Sequence, residues 1–244
     1  MNNIHLILQG KGGVGKSLVS VLVAQYILSK GGPVVCADTD PVNRTFSKYT
    51  SLNVFPIEIS EGGNVLQKKF DPLMETIAST DSDFVIDNGA ATFLPLTKYL
   101  VENDIYQIMA EQGKKVYVHS VLVGGQAKSD TYDGLVELLA NVNKYAKVVV
   151  WENEFFGRIA FDGGTPVTSS KPYKDGEKAG KIAGLVKIID RGQSDTFVSD
   201  MKQMTGNNMT LADVLDSPDF SFLAKNRLKK VVGDVFTELD KVTW

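Results

Sequence analysis

The chain has 244 residues, of which 43% are hydrophobic and 23% charged, with a formal net charge of -3. That composition is ordinary for a globular protein long enough to bury a sizeable core. The charge balance offers nucleic acid no overall attraction and leaves room only for a local basic patch. Cys36 is the one cysteine, which excludes an intramolecular disulfide framework and a cysteine-rich metal site. Its apolar setting, Val34-Val35-Cys36-Ala37, marks it as a small buried hydrophobe and makes the cytosol the natural compartment. The first nine residues lack the basic start of a signal peptide, and no stretch approaches the apolar length that spans a bilayer. No Pro/Ser-rich or charge-rich linker divides the chain, so a single domain over 1–244 is expected.

In chain order, residues 4–8 read as a short buried strand ended by glycine. Residues 16–29 are apolar around most of a helix, as expected for a helix packed inside an α/β layer, and Gly31-Gly32 ends it. Residues 33–37 form the next strand and 57–59 a weak one. Asp71-Pro72 opens a helix through residue 78. Residues 84–87 form a strand that closes on a carboxylate. A helix over 94–112 breaks near Asn103-Asp104, followed by a strand over 115–123, a helix over 130–143 and a strand over 147–151. The glycine-rich stretch 157–184 reads as an irregular insertion that begins around 154. A last strand over 185–189 precedes a helical C-terminal part, with helices over 195–204, 211–215 and 222–239. This alternation predicts an α/β fold: a doubly wound, mostly parallel sheet flanked by helices, with ligands beyond the carboxyl ends of the strands.

Gly10-Lys11-Gly12-Gly13-Val14-Gly15-Lys16-Ser17 fits G-x-x-x-x-G-K-[ST] at every fixed position, between a strand and a helix. Such a loop turns successive N–H groups onto phosphate oxygens, aided by the positive end of the helix. Gly12, Gly13, Val14, Gly15, Lys16 and Ser17 are therefore expected to bind ATP. Lys16 is expected to reach the β- and γ-phosphates, and the Ser17 hydroxyl to ligate Mg²⁺.

With a second lysine at Lys11, the motif K-G-G-V-G-K-S resembles the deviant Walker A ATPases, among them MinD, ParA and the nitrogenase iron protein. The resemblance implies a homodimer in the ATP state, in which Lys11 crosses to the partner's nucleotide. Asp38-Thr39-Asp40-Pro41 resembles the family's first switch, which implies Asp40 on the attacking water and Asp38 in the metal shell. Asp87 resembles the Walker B carboxylate of the Mg²⁺ shell, although Asn88-Gly89-Ala90-Ala91 departs from the prolines that often follow it. Gly89 is left to offer an N–H to the γ-phosphate. Asn153 is implied as a reader of the adenine edge, with an Asx-turn as its alternative, and Asp190-Arg191-Gly192-Gln193 as a flank of the base.

Residues 151–157, 195–201, 211–215 and 226–228 resemble the TraL and StbB ATPases of conjugative plasmids. That likeness implies ATP hydrolysis in conjugative transfer or plasmid stability, with protein partners of that apparatus and DNA binding only weak or indirect. The stripe Phe222, Leu223, Leu228, Val231, Val232, Val235, Phe236 and Leu239 fits a helix docked on its own sheet better than a membrane-binding helix. Two rivals remain at this point: an ATP-dependent synthetase of the dethiobiotin synthetase type, and a non-hydrolysing ATP-binding scaffold. One cysteine cannot supply the cluster of an iron protein.

Overall fold

The computed structural model describes residues 2–160, 164–191 and 195–244. Its strands are Asn3–Ile7 (β1), Val34–Asp38 (β2), Phe55–Pro56 (β3), Ser60–Glu61 (β4), Asn64–Val65 (β5), Asp83–Asp87 (β6), Lys115–Val123 (β7), Ala146–Asn153 (β8) and Ile182–Ile188 (β9). Its α-helices are Lys16–Ser29 (α1), Asp71–Ser79 (α2), Phe93–Glu102 (α3), Ile105–Glu111 (α4), Lys128–Asn141 (α5), Lys171–Lys178 (α6), Asp195–Gly206 (α7), Leu211–Asp216 (α8) and Phe222–Leu239 (α9). Seven strands form one parallel sheet in the order β3-β2-β6-β1-β7-β8-β9, and β4 and β5 form a separate small hairpin.

Strand alternation sends successive side chains to opposite faces of this sheet. On one face Ile4, Leu6, Phe84, Ile86, Val118 and Val148 pack against helices α2 to α6. On the other, Ile7, Cys36, Val85, Val121, Val149 and Trp151 pack against α1 and α9. Burial pushes the Cys36 thiol up to about 12, as befits an inert core position. A third, smaller cluster (Met204, Val214, Phe220, Ala224, Leu228) holds α7 and α8 to the first half of α9. Two polar bonds tie this helical unit to the sheet side: Leu211 N donates to Gln25 Oε1 at 2.7 Å, and Ser51 Oγ donates to Asp213 Oδ2 at 2.8 Å. The stripe of α9 is docked from Leu228 on, with Leu228, Val231, Val232, Val235 and Leu239 buried, whereas Phe222 and Leu223 in its first turn are exposed. Among the described residues no helix is long and apolar enough to cross a membrane.

Three expectations are corrected. The strand expected over 57–59 lies earlier, at Phe55–Pro56, while Ile59 is buried in the core outside any strand. The stretch 157–184 is not irregular throughout. Helix α6 lies inside it, with Ser170 accepting from Tyr173 N at the N-cap and Pro172 in the first turn. Its Gly176 reads as a loop residue but lies in this helix, closely packed, since a Cβ there would stand 3.0 Å from Leu139 Cδ2. The last strand begins at Ile182, before the expected 185. Gly184 is part of it because Val242 crosses closely, 3.1 Å from where a Cβ would be. The break between α3 and α4 falls where expected, with Asp104 in the left-handed region at φ 50.

Both histidines are buried in the core, His5 on β1 and His119 on the adjacent β7. The Trp151 indole N–H donates to His119 Nδ1 at 2.9 Å. An indole only donates, so the His119 proton sits on Nε2 and is given to His5 Nδ1 at 2.9 Å, leaving the His5 proton on Nε2. Burial holds His5 down at about 3; burial and then His5 hold His119 well below the usual imidazole range. Both groups protonate in the unfolded chain near pH 6.5 but stay neutral when folded, so stability is lost as pH falls below that value. Between pH 7 and pH 5 each histidine should cost about 2 kcal/mol. Asp87, raised to about 7 in the folded chain, acts with the opposite sign in the same window. The histidine contribution is therefore read as a difference: in denaturant titrations from pH 7 to pH 5, His5→Phe should lose less stability than the wild type by about 2 kcal/mol, whatever its effect at neutral pH.

Candidate functional site

The site is built at the carboxyl end of β1. Gln9, buried just beyond that strand, anchors the loop that follows. Its amide donates to Val121 O at 3.1 Å and Thr131 O at 2.9 Å, and its oxygen accepts from Gly10 N at 2.8 Å. Gly134 of α5 makes room for it, since a Cβ there would lie 2.2 Å from Gln9 Oε1. Gly13 and Gly15 then take positive φ values of 73 and 97, which L side chains rarely adopt, and the chain turns into α1. Gly15 caps α1 with no side-chain bond, so the first-turn N–H groups remain available to a ligand. A Cβ at Gly12 or Gly13 would meet nothing within 4 Å.

Lys16 is only 8% exposed, and its ammonium donates to Lys11 O at 3.0 Å. Burial lowers its pKa, against the opposing fields of Asp87 and Asp40. Asp87, at the end of β6, is 2% exposed and accepts from Ser17 Oγ at 2.6 Å and Ser20 Oγ at 3.0 Å. Burial, with a further push from Asp38, raises its carboxyl to about 7 against the two serine bonds and Lys16.

Asp38 is also buried, but its oxygens are taken by the chain. One accepts from Asp40 N at 3.0 Å, the other from Ser47 N at 2.9 Å and Ser47 Oγ at 3.1 Å. It sets the path of residues 38–47. Asp40 closes a tight turn, accepting from Val42 N at 2.9 Å and Asn43 N at 3.2 Å. Its carboxylate lies 2.7 Å from where a Cβ on Gly89 would be, so the loops after β2 and β6 touch here because residue 89 is glycine. Asn88 fixes that second loop from beneath: its amide donates to Ile7 O and Ile86 O and accepts from Thr39 Oγ1 at 2.7 Å.

A cavity of about 480 Å³ opens between these loops, lined by Gly12, Gly13, Lys16, Ser17, Asp40 and Asn88 among others. Tyr49 and Thr205 also line it. No motif marks either, because one lies between two short 3₁₀ turns and the other in α7, far along the chain. Lys11 stands at the rim, paired with Asp130 Oδ2 at 2.8 Å, the two side chains 45% and 54% exposed. Asn153 lies beneath the loop. Its amide donates to Val14 O at 3.0 Å and accepts from Phe155 N at 3.2 Å, so both ends brace backbone, the second by the Asx-turn. A second cavity of about 420 Å³ lies past Leu18, between Phe155, Ile189, Asp190, Arg191 and Phe197. The Arg191 guanidinium lies 5.0 Å from the centre of the Phe197 ring. Of the expected base flank, Gly192 and Gln193 lie outside the described residues.

The donor set fits Mg²⁺·ATP. The open glycine cradle, the uncapped helix start and a desolvated ammonium suit a polyphosphate. A hydroxyl and a carboxylate at 2.6 Å, the latter raised chiefly by burial, suit a hard metal ion completed by phosphate oxygens and water. Fold and loop together define a nucleotide-binding site of the P-loop class.

Comparison with known proteins narrows the class. The model of the CobQ/CobB/MinD/ParA nucleotide binding domain matches residues 5–238, and the chain belongs to that family. It is 38% identical to a Protein TraL of Escherichia coli over 240 residues, 98% of each chain. Among solved structures it resembles a ParA family ATPase from Chlorobium tepidum (TM-score 0.54, 13% identity, 98% of this chain and 100% of that one). It also resembles the MinD cell division protein of Aquifex aeolicus (TM-score 0.51, 15% identity, 98% and 96%).

Asn153→Ala removes two buried hydrogen bonds under the phosphate loop. It should lower unfolding free energy by about 2 kcal/mol in urea titrations and weaken ATP binding in calorimetry.

Proposed function

We propose that the protein is an ATP-hydrolysing switch that dimerises around Mg²⁺·ATP and acts, through protein partners, in conjugative transfer or plasmid stability. The observation that carries this reading is the complete loop with its buried Lys16 and the Ser17–Asp87 pair. Lys16 and the N–H groups of residues 12–17 hold the β- and γ-phosphates. Ser17 and Asp87 hold Mg²⁺, with Asp38 as a second carboxylate behind them. When bound, the metal neutralises charge on the β- and γ-oxygens. Asp40, at the cavity edge, accepts a hydrogen bond from the attacking water and so orients it. The apolar cavity past Leu18 takes the base. Asn153 serves it by holding Val14, and reads the adenine edge only if its amide leaves that bond. The place of work is the cytoplasm, with partners able to recruit the protein to the inner membrane face.

Lys16→Ala should abolish ATP binding in calorimetry, because it removes the principal cation on the phosphates. Asp40→Ala should retain ATP and lose steady-state turnover. Turnover that requires a small carboxylate or amine substrate would instead indicate the synthetase reading. Bound but unhydrolysed ATP in the wild type would indicate the scaffold.

Dimerisation rests on Lys11. In the free chain its ammonium is held in cis by Asp130, a half-exposed pair worth less than about 1 kcal/mol. Release is therefore easy once a partner's γ-phosphate lies within reach in a water-poor interface. Sedimentation velocity should show a dimer with a non-hydrolysable ATP analogue and a monomer with ADP. Lys11→Ala should bind the analogue and stay monomeric, while Asp130→Asn should dimerise at lower protein concentration. A wild type that stays monomeric with the analogue defeats this mechanism.

A further inference from the structure

The opposite end of the sheet, where the strands begin, carries a feature the nucleotide site does not use. A cavity of about 430 Å³ opens there, a size within the range of ligand pockets. Lys115 starts β7, Lys147 is the second residue of β8, Lys144 and Tyr145 lie in the turn before β8, and Lys114 ends the turn after α4. All five line the cavity together with Trp244.

No aspartate or glutamate is among the lining residues. Lys114 is buried and donates to Thr80 O, so its charge is fixed in place. Among the described residues no ion pair engages Lys115, Lys144 or Lys147, although the chain as a whole is net negative. The charge of Lys114 is partly offset by Asp83 behind it, which leaves three like charges around one concavity; they repel one another, and a low-dielectric wall focuses their field into the cleft. The remaining wall is aromatic. Lys144 lies over the Tyr145 ring at 4.9 Å. Trp244 is half-buried, its inner side held by Tyr117 (centroids 5.0 Å, near edge-on) and by His5 and His119.

Clustered unpaired ammonium groups recognise phosphate, and half-exposed aromatic rings beside them recognise a planar base. We propose that this cavity binds a phosphorylated nucleobase, separately from the ATP site and at the other end of the sheet. Either a free nucleotide or the exposed unit of a single strand supplies that chemistry. The net charge of -3 does not oppose it, because the field that matters is local.

The test uses the full chain with its phosphate loop first saturated by Mg²⁺ and a non-hydrolysable ATP analogue. Thymidine monophosphate, a short oligothymidylate and inorganic pyrophosphate are then titrated by calorimetry and tryptophan fluorescence. Either thymidine probe should bind more tightly than pyrophosphate. Tighter binding of the monophosphate identifies a free nucleotide, and tighter binding of the oligomer a strand. For the oligomer, log K against log salt should have a slope of magnitude about 2 if three lysines each meet a phosphate. The triple variant Lys115→Gln/Lys144→Gln/Lys147→Gln should lose at least about tenfold in affinity for either thymidine probe, with analogue binding unchanged. Trp244→Phe should reduce affinity while keeping the salt slope. The proposal is overturned if neither thymidine probe binds, if the triple variant binds like wild type, or if pyrophosphate binds as tightly as the thymidine probes. Lys16→Ala, tested without analogue, should keep the thymidine probes; their loss there would place the binding at the phosphate loop and overturn it as well.

Discussion

Two opposite charges, the Lys16 ammonium at the start of α1 and the Asp87 carboxylate at the end of β6, are held out of water without pairing directly. Each is costly to bury, and only part of that cost is met within the chain, by Lys11 O on one side and two serine hydroxyls on the other. A ligand that brings both anionic oxygens and a cation completes the arrangement. The sheet makes the placement possible. Parallel register aligns Asp87 with Ile7 on one side and Asp38 on the other. The ends of β1, β2 and β6 are thereby level, and the three loops that leave them meet over one cavity. A slip of one residue in β6 would turn Asp87 to the opposite face.

The strand–loop–helix at residues 3–29 was legible because its chemistry is local. Glycines must follow the strand, a lysine must open the helix, and an apolar helix surface must be buried. The carboxylates at strand ends were legible for the same reason. What they do in the free chain was not. Asp38 reads as a metal-facing residue, yet its oxygens are spent on Ser47 and Asp40 N, partners that depend on how residues 41–47 fold back. Asn153 offered two readings, and its hold on Val14, 139 positions away in sequence, could not be seen from either.

Two of the misreadings of the fold, those over 157–184 and at the start of β9, turn on glycines. Gly176 and Gly184 look like loop residues because glycine weakens helices and strands intrinsically. Here a neighbour comes close, Leu139 in one case and Val242 in the other, so that a Cβ would require it to shift, and local packing sits with the glycine against its propensity. Gly134 belongs to the same class, cleared for Gln9. Such glycines are visible only once the partner element is placed. The same holds for Thr205 and Asp130, which reach the site from helices whose own patterns mark only their packing.

Helices α7 and α8 have a small apolar nucleus of their own and meet the sheet side through bonds such as Leu211 to Gln25 and Ser51 to Asp213. Thr205 borders the phosphate cavity, and Ser51 lies two residues from Tyr49, which borders it too. Part of the cavity wall is thus carried by a helical unit whose sequence has no phosphate-binding motif, so a substitution in its small apolar nucleus would reach the site without touching it.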